Sequence, residues 1–575
     1  MKKRVLVTSA LPYINGVKHL GNLVGSMLPA DVYARYLRSR GRDVLFICAT
    51  DEHGTPAELA AKDAGLEVAE FCRQQHKLQA ELARRFRLSF DHFGRSSSAQ
   101  NRELTQYFFS KLEEHGLIEE RSTSQIYSID DARFLPDRYV IGTCPHCGYT
   151  AARGDQCESC TRLLNPTDLI APRSAVSGST RLEVRESRHL FLLQSKLADQ
   201  LRAWIESRVG WPPLVTSIAV KWLNEGLEDR GITRDLKWGV PVNKPGFEDK
   251  VFYVWFDAPI EYIAATKEWA DLQVGREWRS WWSATGDVHY VQFMAKDNVP
   301  FHTIMFPATI IGAADNWKLP DYIKAFNWLT YYGGKFSTSQ HRGVFMSDAI
   351  DLLPADYWRY WLLANAPEAN DADFTWDLFA TMVEADLAAT FGNFVNRITK
   401  FCASRFGDFL PEEDGEDSDL EERLYTELGE KIAAYEGHLE SHSFRKALRE
   451  LKEIWRAGNV YLTEAAPWKA KPEENRGRVA VRIGINLVRL YAVLASPVMP
   501  DTSELILDAL DCSAEERLWP EGPIKNELSR LRSPRRTPHL DLLFRPIDPA
   551  LIELWKVRFG GSEHGLADAP SVSAL

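Results

Sequence analysis

A strand, a helix and a second strand can be read in residues 5–54, and this pattern restricts the fold more than any other part of the chain. The segment "VLVTSA" reads as a buried strand, and "PYING" supplies the residues of a turn. From Leu20 apolar residues recur at three- and four-residue steps until Gly41, which predicts a helix. The apolar run in "DVLFICATDEHG" predicts another strand. Such a βαβ unit implies a parallel sheet, buried on both faces, with ligands at the carboxyl ends of its strands.

Those predicted strand ends carry "KHLGN" (18–22) and "TDEHG" (50–54). His19 and Asn22 lie one turn apart at the start of the predicted helix, and Gly21 between them leaves space for a purine or a ribose. On spacing alone, a histidine there more often caps the helix. No G-x-G-x-x-G follows the first strand, so the sequence does not favour a dehydrogenase.

Two later segments predict further strands that end in polar groups. "HYVQFMA" (289–295) is followed by "KDN" and a helix-like run with His302. "FNWLTYYGG" (326–334) reads as a strand that leads into "KFSTS" (335–339), where glycines, a lysine and hydroxyl groups are typical of a loop that holds a phosphate. Together these ends predict an ATP-using site in an open α/β sheet.

Four of the eight cysteines have metal-ligand spacing. The chain has two C-x2-C pairs, Cys144-x2-Cys147 and Cys157-x2-Cys160, separated by nine residues. They place four thiolates on two knuckles, an arrangement that suits tetrahedral Zn²⁺. Four ligands leave no position for water, so a structural role is predicted. The alternative is a loop with four reduced cysteines. The other cysteines are scattered singly, which does not suggest a secreted disulfide framework.

Composition and charge restrict the setting. No run of eighteen apolar residues occurs, and the sequence begins with a strand-like segment rather than a signal peptide, so we expect a cytoplasmic protein without a membrane partner. The net charge of −11 repels a polyanion at long range, so a nucleic acid would need a local basic surface.

The strand pattern stops near Met382, and long helical periods follow. "SFRKALRELKEIWRAGNVYLTEAAPW" (443–468) carries basic residues at helical spacing, which either meet phosphates or form a solvated face: Arg445, Lys446, Arg449, Lys452 and Arg456. "SRLRSPRRTPHL" (529–540) is basic and broken by proline, as in a linker that wraps back.

"HLGN" after "ALPYING", with "KFSTS" far downstream, resembles the HIGH and KMSKS motifs of class I aminoacyl-tRNA synthetases. "FICATDEHGTP", "FLPDRYVIGTCPHCG", "FYVWFDAPIEY" and "MAKDNVPFH" follow in the order of the methionyl-tRNA synthetase family. The resemblance runs from Val5 to about Ile547.

The resemblance implies an α/β fold: a Rossmann-type parallel-sheet catalytic domain with an inserted zinc-knuckle connective domain, followed by an all-α helical-bundle anticodon-binding domain. The expected limits are 1–115 and 226–322 for the two catalytic halves, 116–225 for the insertion, 323–381 for the KMSKS-like loop and stem-contact region, 382–535 for the helical domain and 536–575 for a C-terminal tail.

The implied reaction is ATP-dependent activation of L-methionine to methionyl-adenylate, followed by transfer to the 3′-terminal ribose of tRNA(Met), for translation initiation and elongation. The family's catalytic positions fall on His19, Asn22 and Lys335. Its ATP-binding positions add Gly21, Lys296, Phe336, Ser337, Thr338 and Ser339. Its methionine pocket falls on Leu11, Tyr13, Trp255, Ala258, Pro259, Tyr262 and His302, with Asp51 on the substrate ammonium. Taken singly, Trp255 in an apolar strand is more often a core residue, and Asp51 could cap a turn.

The resemblance also implies partners. One structural Zn²⁺ per chain is expected on the four cysteines, and Mg²⁺ is expected with ATP. The helical domain is expected to read the CAU anticodon, with Trp468 stacked on a base and Asn393 and Arg397 nearby. Some relatives dimerise through an appended domain that is not seen here, so a monomer is expected.

Both motifs depart from the family pattern. Phe336 is an apolar replacement, Thr338 stands where a second lysine is usual, and Asn22 where a second histidine is usual. We expect Lys296, or His341 and Arg342, to supply the missing positive charge. Two alternatives stay open: a class I synthetase for leucine, isoleucine, valine or cysteine, and a non-catalytic paralogue that binds tRNA or regulates.

Overall fold

A five-stranded parallel sheet forms the centre of the N-terminal part of the protein. The computed structural model describes residues 4–561 except 156, 158, 161, 163, 338–339, 413–415 and 471–474. The strands are β1 Arg4–Ser9, β2 Asp43–Thr50, β3 His92–Arg95, β4 Val288–Ala295 and β5 Tyr322–Phe326. Their order is β5-β4-β1-β2-β3, and each neighbouring pair is parallel. The predicted βαβ unit is therefore confirmed, with β1 in the middle of the sheet.

The helix predicted after β1 is present, but it has three parts. An α turn over Leu20–Asn22 is followed by a π turn over Leu23–Met27 and an α-helix over Leu28–Ser39. Gly41 has a φ of 69° and donates its N–H to the Arg38 carbonyl at 2.8 Å, as a glycine just past a helix end does. The spacing of apolar residues predicts the helix and its end, but it does not predict that one turn of the helix is a π turn.

Helices cover the sheet and connect its strands. They are Thr55–Asp63, Val68–Arg85, Ala99–Glu114, Val254–Asp257, Glu261–Asp271, the π-helix Phe301–Met305, Phe306–Ala313, Met346–Leu352 and Ala355–Ala364. Side chains from both faces of the sheet are buried, and this burial is the main stabilisation of such a fold.

Three small antiparallel sheets lie between β3 and β4 in the sequence, and the smallest pairs Thr233–Arg234 with Val251–Phe252. The long strands Ile118–Ser128 and Leu182–Leu192 pair along their whole length. In the second sheet, Val140–Thr143 pairs with Ala152–Arg153 and with Ile170–Ser174. Helices Ala198–Glu206 and Pro213–Glu225 lead back towards the parallel sheet. The strands of the cysteine-containing segment are thus held outside the main sheet.

Two strand interpretations were wrong. "FNWLTYYGG" is not one strand, because β5 ends at Phe326 and the Asn327 N–H donates to the Pro367 carbonyl at 2.7 Å, which turns the chain away. Leu329–Tyr331 then pairs with Ala372–Phe374. Trp255 does not lie in a strand either, since a helix over Val254–Asp257 begins directly after the two-residue strand Val251–Phe252.

The C-terminal part is helical, as predicted. Its segments are Trp376–Met382, the π-helix Val383–Gly392, Asn393–Phe406, Asp419–Glu440, Phe444–Ala465, Asn475–Ala495, Pro500–Ala509, Ile524–Glu527 and Pro549–Arg558. None of the helices in the described ranges has the length and apolar character that a membrane span requires.

Candidate active site

A cavity of about 700 Å³ lies at the carboxyl ends of the central strands. Its wall includes residues that follow β1, β2 and β4, the edge at which open α/β sheets bind ligands. The predicted substrate residues that it brings together are Leu11, Tyr13, His19, Gly21, Asn22, Asp51, Trp255, Ala258, Pro259, Tyr262, His302, Lys335 and Phe336. Residues separated by more than 300 positions therefore meet in one wall.

His19 and Asn22 close the start of the helix by a reciprocal pair of hydrogen bonds. The Asn22 N–H donates to His19 Nδ1 at 3.3 Å, and the His19 N–H donates to Asn22 Oδ1 at 3.1 Å. Burial, and secondarily the charge of Lys18, lower the pKa of His19 to about 3. His19 is therefore neutral at physiological pH and acts as a hydrogen-bonding group rather than as a cation.

The two nucleotide motifs touch each other through aromatic rings. The His19 ring stacks on Phe336, with centroids 4.5 Å apart and planes 12° apart. Gly343 allows this position, because a Cβ there would lie 2.2 Å from the Phe336 ring and its φ is +94°. The loop is closed at its base by backbone hydrogen bonds of 3.0 Å between Ser337 and Arg342 in both directions.

An aromatic pocket occupies the deep end of the cavity. The Trp255 ring meets Phe301 edge-on at 4.8 Å. His302 donates from Nδ1 to the Asn298 carbonyl at 2.8 Å, so its Nε2 is left to accept from the Tyr262 hydroxyl at 2.9 Å. Burial lowers the pKa of His302 to about 4, which keeps it neutral. The pocket therefore offers an apolar, polarizable surface without charge.

Asp51 is the acidic group beside this pocket. It is fixed at the end of β2, where its N–H donates to the Pro12 carbonyl at 3.0 Å. Its Oδ1 is buried and has no hydrogen-bond partner among the described residues. Burial, and then the neighbouring Asp257, raise the pKa of this carboxyl group, while the charge of Lys18 acts to lower it.

The cations of the predicted nucleotide site lie at different positions. Lys335 lines the cavity, 5.6 Å from the centre of the Trp328 ring. Lys296 packs on the same ring at 4.2 Å but forms an ion pair with Asp371 at 2.8 Å. Arg342 donates to the Tyr331 carbonyl at 2.9 Å. Ser337 pairs with Arg342 at the loop base, and Thr338 and Ser339 lie outside the described residues.

Several cavity residues were missed by the sequence reasoning. They include Lys18, Asp297, Asn298, Trp328 and Thr330. Lys18 stands directly before His19 in the quoted "KHLGN", and Trp328 follows the end of β5, so their positions next to the motifs were the available signal.

The four predicted metal ligands converge. One ligand atom from each of Cys144, Cys147, Cys157 and Cys160 lies within 4.8 Å of all the others. Sulfur distances of 3.9 Å for Cys144–Cys160 and 3.6 Å for Cys147–Cys157 are too long for disulfide bonds. They match the roughly 3.8 Å edge of a tetrahedron with Zn–S bonds of about 2.3 Å. The donor set therefore fits zinc.

A second cleft of about 360 Å³ lies in the helical part, far along the chain from the sheet. Trp468 lines it with 44% of its surface exposed, and the Arg397 guanidinium lies 5.3 Å from its ring centre. Asn396, Lys400 and Phe401 contribute to the same wall. Asn393 is exposed on the same helix but is not among the described residues that line the cleft.

The basic face of the helix Phe444–Ala465 is partly neutralised. Lys452 pairs with Asp386, Arg456 with Glu453 and Arg449 with Glu450, at 2.5, 2.9 and 3.8 Å. For these three side chains the solvated-face interpretation is favoured.

Comparison with known proteins gives matches over nearly the whole chain. A family model described as "tRNA synthetases class I (M)" matches residues 5–399, and one described as "Anticodon binding domain of methionyl tRNA ligase" matches residues 410–564. The methionine–tRNA ligases of Dinoroseobacter shibae and Ruegeria pomeroyi are each 58% identical over 97% of this chain and 99% of theirs. The solved structure of Mycobacterium tuberculosis methionyl-tRNA synthetase in complex with methionyl-adenylate superposes with a TM-score of 0.76 at 25% identity, covering 95% of this chain and 99% of that one.

Proposed function

The chain belongs to the methionyl class I tRNA synthetases, and from this membership we propose that it activates L-methionine with ATP and transfers the methionyl group to the 3′-terminal ribose of tRNA(Met), for both initiation and elongation. The observation that carries the proposal is a single cavity whose wall joins an aromatic pocket beside Asp51 to the HLGN and KFSTS motifs. The domain limits predicted above form part of the proposal.

The deep end of the cavity is suited to methionine. A thioether is polarizable and gains from the aromatic edges of Trp255 and Tyr262. The neutral His302 adds no charge to this pocket. Asp51 would bind the substrate ammonium, and the unpartnered Oδ1 is the acceptor that such a cation needs.

The nucleotide end would carry out adenylate formation. A carboxylate oxygen of methionine attacks the α-phosphorus of ATP, the bond from that phosphorus to the bridging oxygen breaks, and pyrophosphate leaves with the bond electrons. His19 and Asn22 would hydrogen-bond the phosphate in the transition state, and Lys335 would bind the pyrophosphate end. Mg²⁺ bound with ATP would offset charge on the phosphates.

Transfer to tRNA would follow in the same cavity. The terminal ribose hydroxyl attacks the acyl carbon, the bond from that carbon to the phosphate oxygen breaks, and AMP leaves with the bond electrons while the hydroxyl proton is released. We place the anticodon at the Trp468 cleft, where an exposed indole and an adjacent guanidinium suit an unpaired base. Arg397 belongs to this cleft, and Asn393 stays a candidate on the same helix.

The four cysteines would hold one structural Zn²⁺, which would stabilise the connective domain. We further propose that the protein acts as a monomer in the cytoplasm, where its substrates are found, and sedimentation of the pure protein would check its oligomeric state.

Methionine-dependent exchange of labelled pyrophosphate into ATP, together with charging of tRNA(Met), tests the function. We expect both activities with methionine. Exchange that depends on leucine, isoleucine, valine or cysteine instead of methionine would contradict the assignment of methionine as the substrate. Absence of exchange with every amino acid would favour a paralogue that only binds tRNA.

A further inference from the structure

Lys18 is a cation in the cavity wall that neither nucleotide motif indicates. We propose that Lys18 binds the carboxylate of the amino-acid substrate and holds it against the α-phosphate of ATP. This inference rests on the proposed function and names a group that offsets the positive charge missing from the KFSTS motif. Lys18 would thus be a substrate-contacting residue of the activation step.

The position of Lys18 follows from the turn that precedes the helix. Its backbone carbonyl accepts from the Met346 N–H at 2.8 Å, which fixes the backbone, and its amino group donates to Asn15 Oδ1 at 3.1 Å. Lys18 also lines a small second cavity together with Gln79, Leu82 and Phe93, which carry no charge. The amino group is therefore directed by one neutral acceptor and remains able to bind an anion.

Lys18 shares the cavity wall with residues proposed to bind each of the two reacting groups. His19, proposed to meet the phosphate, is its neighbour in sequence, and Asp51, proposed to meet the ammonium, lies near enough for its carboxylate to act on the Lys18 charge. In an α-amino acid the ammonium and the carboxylate are bonded to the same carbon. A substrate whose ammonium lies at Asp51 therefore has its carboxylate beside that residue, on the side of Lys18 and His19.

The reaction needs a cation at this point. A carboxylate and a phosphate repel each other, and a fixed positive charge between them lowers the free energy of their approach. The three residues expected from sequence to supply the charge lie elsewhere: Lys296 pairs with Asp371, Arg342 donates to the Tyr331 carbonyl, and His341 is exposed on the loop. Among the described residues these three do not contribute to the cavity wall, whereas Lys18 does.

The electrostatic surroundings support an amino group that responds to its ligand. Burial lowers the pKa of Lys18 to about 8, while the Asp51 carboxylate acts in the opposite direction. The other titratable groups nearby are His19, with its lowered pKa, and Tyr13, whose pKa is raised by burial. Above pH 8 the free enzyme therefore loses the Lys18 charge, and methionine affinity should fall with it.

The experiment compares binding of L-methionine and L-methioninamide, which lacks the carboxylate charge, by calorimetry on the full chain at pH 7. Lys18→Met should weaken methionine binding about tenfold or more and leave methioninamide binding unchanged. Pyrophosphate exchange should slow in parallel. Lys18→Arg should keep methionine binding at pH 7 and show a smaller loss above pH 8 than the parent protein, since only the substrate ammonium then titrates. Lys221→Met, a change at an exposed lysine on another helix, is the matched control.

Equal weakening of both ligands in Lys18→Met, with an unchanged melting temperature, would make Lys18 a structural counter-ion of Asp51 and overturn the proposal. Unchanged methionine binding would also overturn it. If Lys18→Met does not fold, Lys18→Arg still decides. The ratio of its methionine affinity to the parent affinity must rise from pH 7 to pH 9, because the substrate ammonium titrates in the same way for both proteins, and a constant ratio would overturn the proposal. A parent protein without methionine-dependent exchange would instead count against the proposed function.

Discussion

At the scale of residues, burial decides which groups of the site are charged. His19 and His302 are both neutral at physiological pH, because burial lowers their pKa values to about 3 and 4. Asn22 in place of a second histidine is therefore a smaller change than the motif suggests, since an amide and a neutral imidazole both act through hydrogen bonds. The positive charge of the site must come from lysines, of which Lys18 and Lys335 line the cavity.

Trp468→Ala is the residue-scale test of anticodon binding. Stacking of an RNA base on an aromatic side chain contributes about 1–3 kcal/mol, so kcat/KM for charging of tRNA(Met) should fall by roughly tenfold or more. Pyrophosphate exchange, which needs no tRNA, should be unchanged and serves as the internal control. Parallel loss of both activities would contradict the assignment of the cleft.

The sequence predicted the residues of the site better than their orientations. Motif resemblance identified Asp51, His302 and Lys335, which do converge. It named Arg342 as a source of charge and did not name Lys18, although both adjoin a motif, because the direction of a side chain depends on packing across the chain. The Arg342 guanidinium donates to the Tyr331 carbonyl, and the local sequence pattern does not predict this hydrogen bond.

At the scale of elements, the last described helix holds the KFSTS loop. The Gly343 N–H donates to the Phe559 carbonyl at 3.0 Å, and Arg342 forms a backbone bridge with Gly560. Just before these residues, Trp555 of the helix Pro549–Arg558 packs on Trp376 at 4.8 Å. The loop base is therefore fixed by a segment more than 200 residues away in sequence.

Removal of residues 548–575 tests this contact. Without the Phe559–Gly561 segment the loop base loses its backbone partner, so Lys335 should be held less well and kcat for pyrophosphate exchange should fall about tenfold. Methionine binding should change little. The control is removal of residues 562–575 alone, since the described contacts end at Gly561. Equal exchange rates in both truncations would show that the helix does not position the loop.

The zinc knuckle is a second element whose stability can be tested. Purified protein should contain one zinc per chain by atomic emission. Cys147→Ser should lose the metal and lower the melting temperature, because a structural zinc site contributes directly to folding. Cys512→Ser, at a cysteine remote from the cluster, is the control for metal content. Full zinc content in Cys147→Ser would contradict the assignment of the ligands.

The elements with a regular apolar period were predictable, and those set by tertiary contacts were not. The first βαβ unit and the long C-terminal helices have apolar residues at the periods that their secondary structure requires. "FNWLTYYGG" was misread because Asn327 is drawn out of the sheet by the Pro367 carbonyl, 40 residues downstream. The prediction of a strand at Trp255 was wrong for a different reason, because an apolar run of this length fits a short buried helix as well as a strand.

At the scale of the whole molecule, two buried residues connect the helical part to the sheet. Arg359 is fully buried and donates to Asp31, at 2.6 Å, and to the Phe86 and Val498 carbonyls at 2.9 and 2.7 Å. His442 lies in the turn between the helices Asp419–Glu440 and Phe444–Ala465 and packs between the rings of Tyr33 and Tyr322, each 4.4 Å away. Asp31 and Tyr33 belong to the helix that begins at the HLGN motif.

His442 makes the stability of this junction depend on pH. Burial lowers its pKa to about 3, so the unfolded chain takes up a proton below about pH 6.5 that the folded protein does not bind. Stability is then complete above pH 6.5 and is lost as pH falls towards 3. At pH 5 the loss from this group should be about 2 kcal/mol.

Urea unfolding at pH 7 and pH 5 measures this effect. His442→Asn removes the titrating group and tolerates the backbone φ of +56° at this position. The variant should be less stable than the parent at pH 7 and should lose about 2 kcal/mol less between pH 7 and pH 5. Identical pH dependence in both proteins would show that His442 does not report on this junction.

The stacked rings of His19 and Phe336 have a kinetic consequence. The Phe336 ring covers one face of the His19 imidazole. A nucleotide that binds to that face must first displace Phe336, and the KFSTS loop, which contains Phe336, must move away with it. Binding of ATP would then proceed in two steps, with loop opening before capture. In rapid-mixing experiments the observed rate of ATP binding should level off at high nucleotide concentration, and the plateau would measure how often the loop opens.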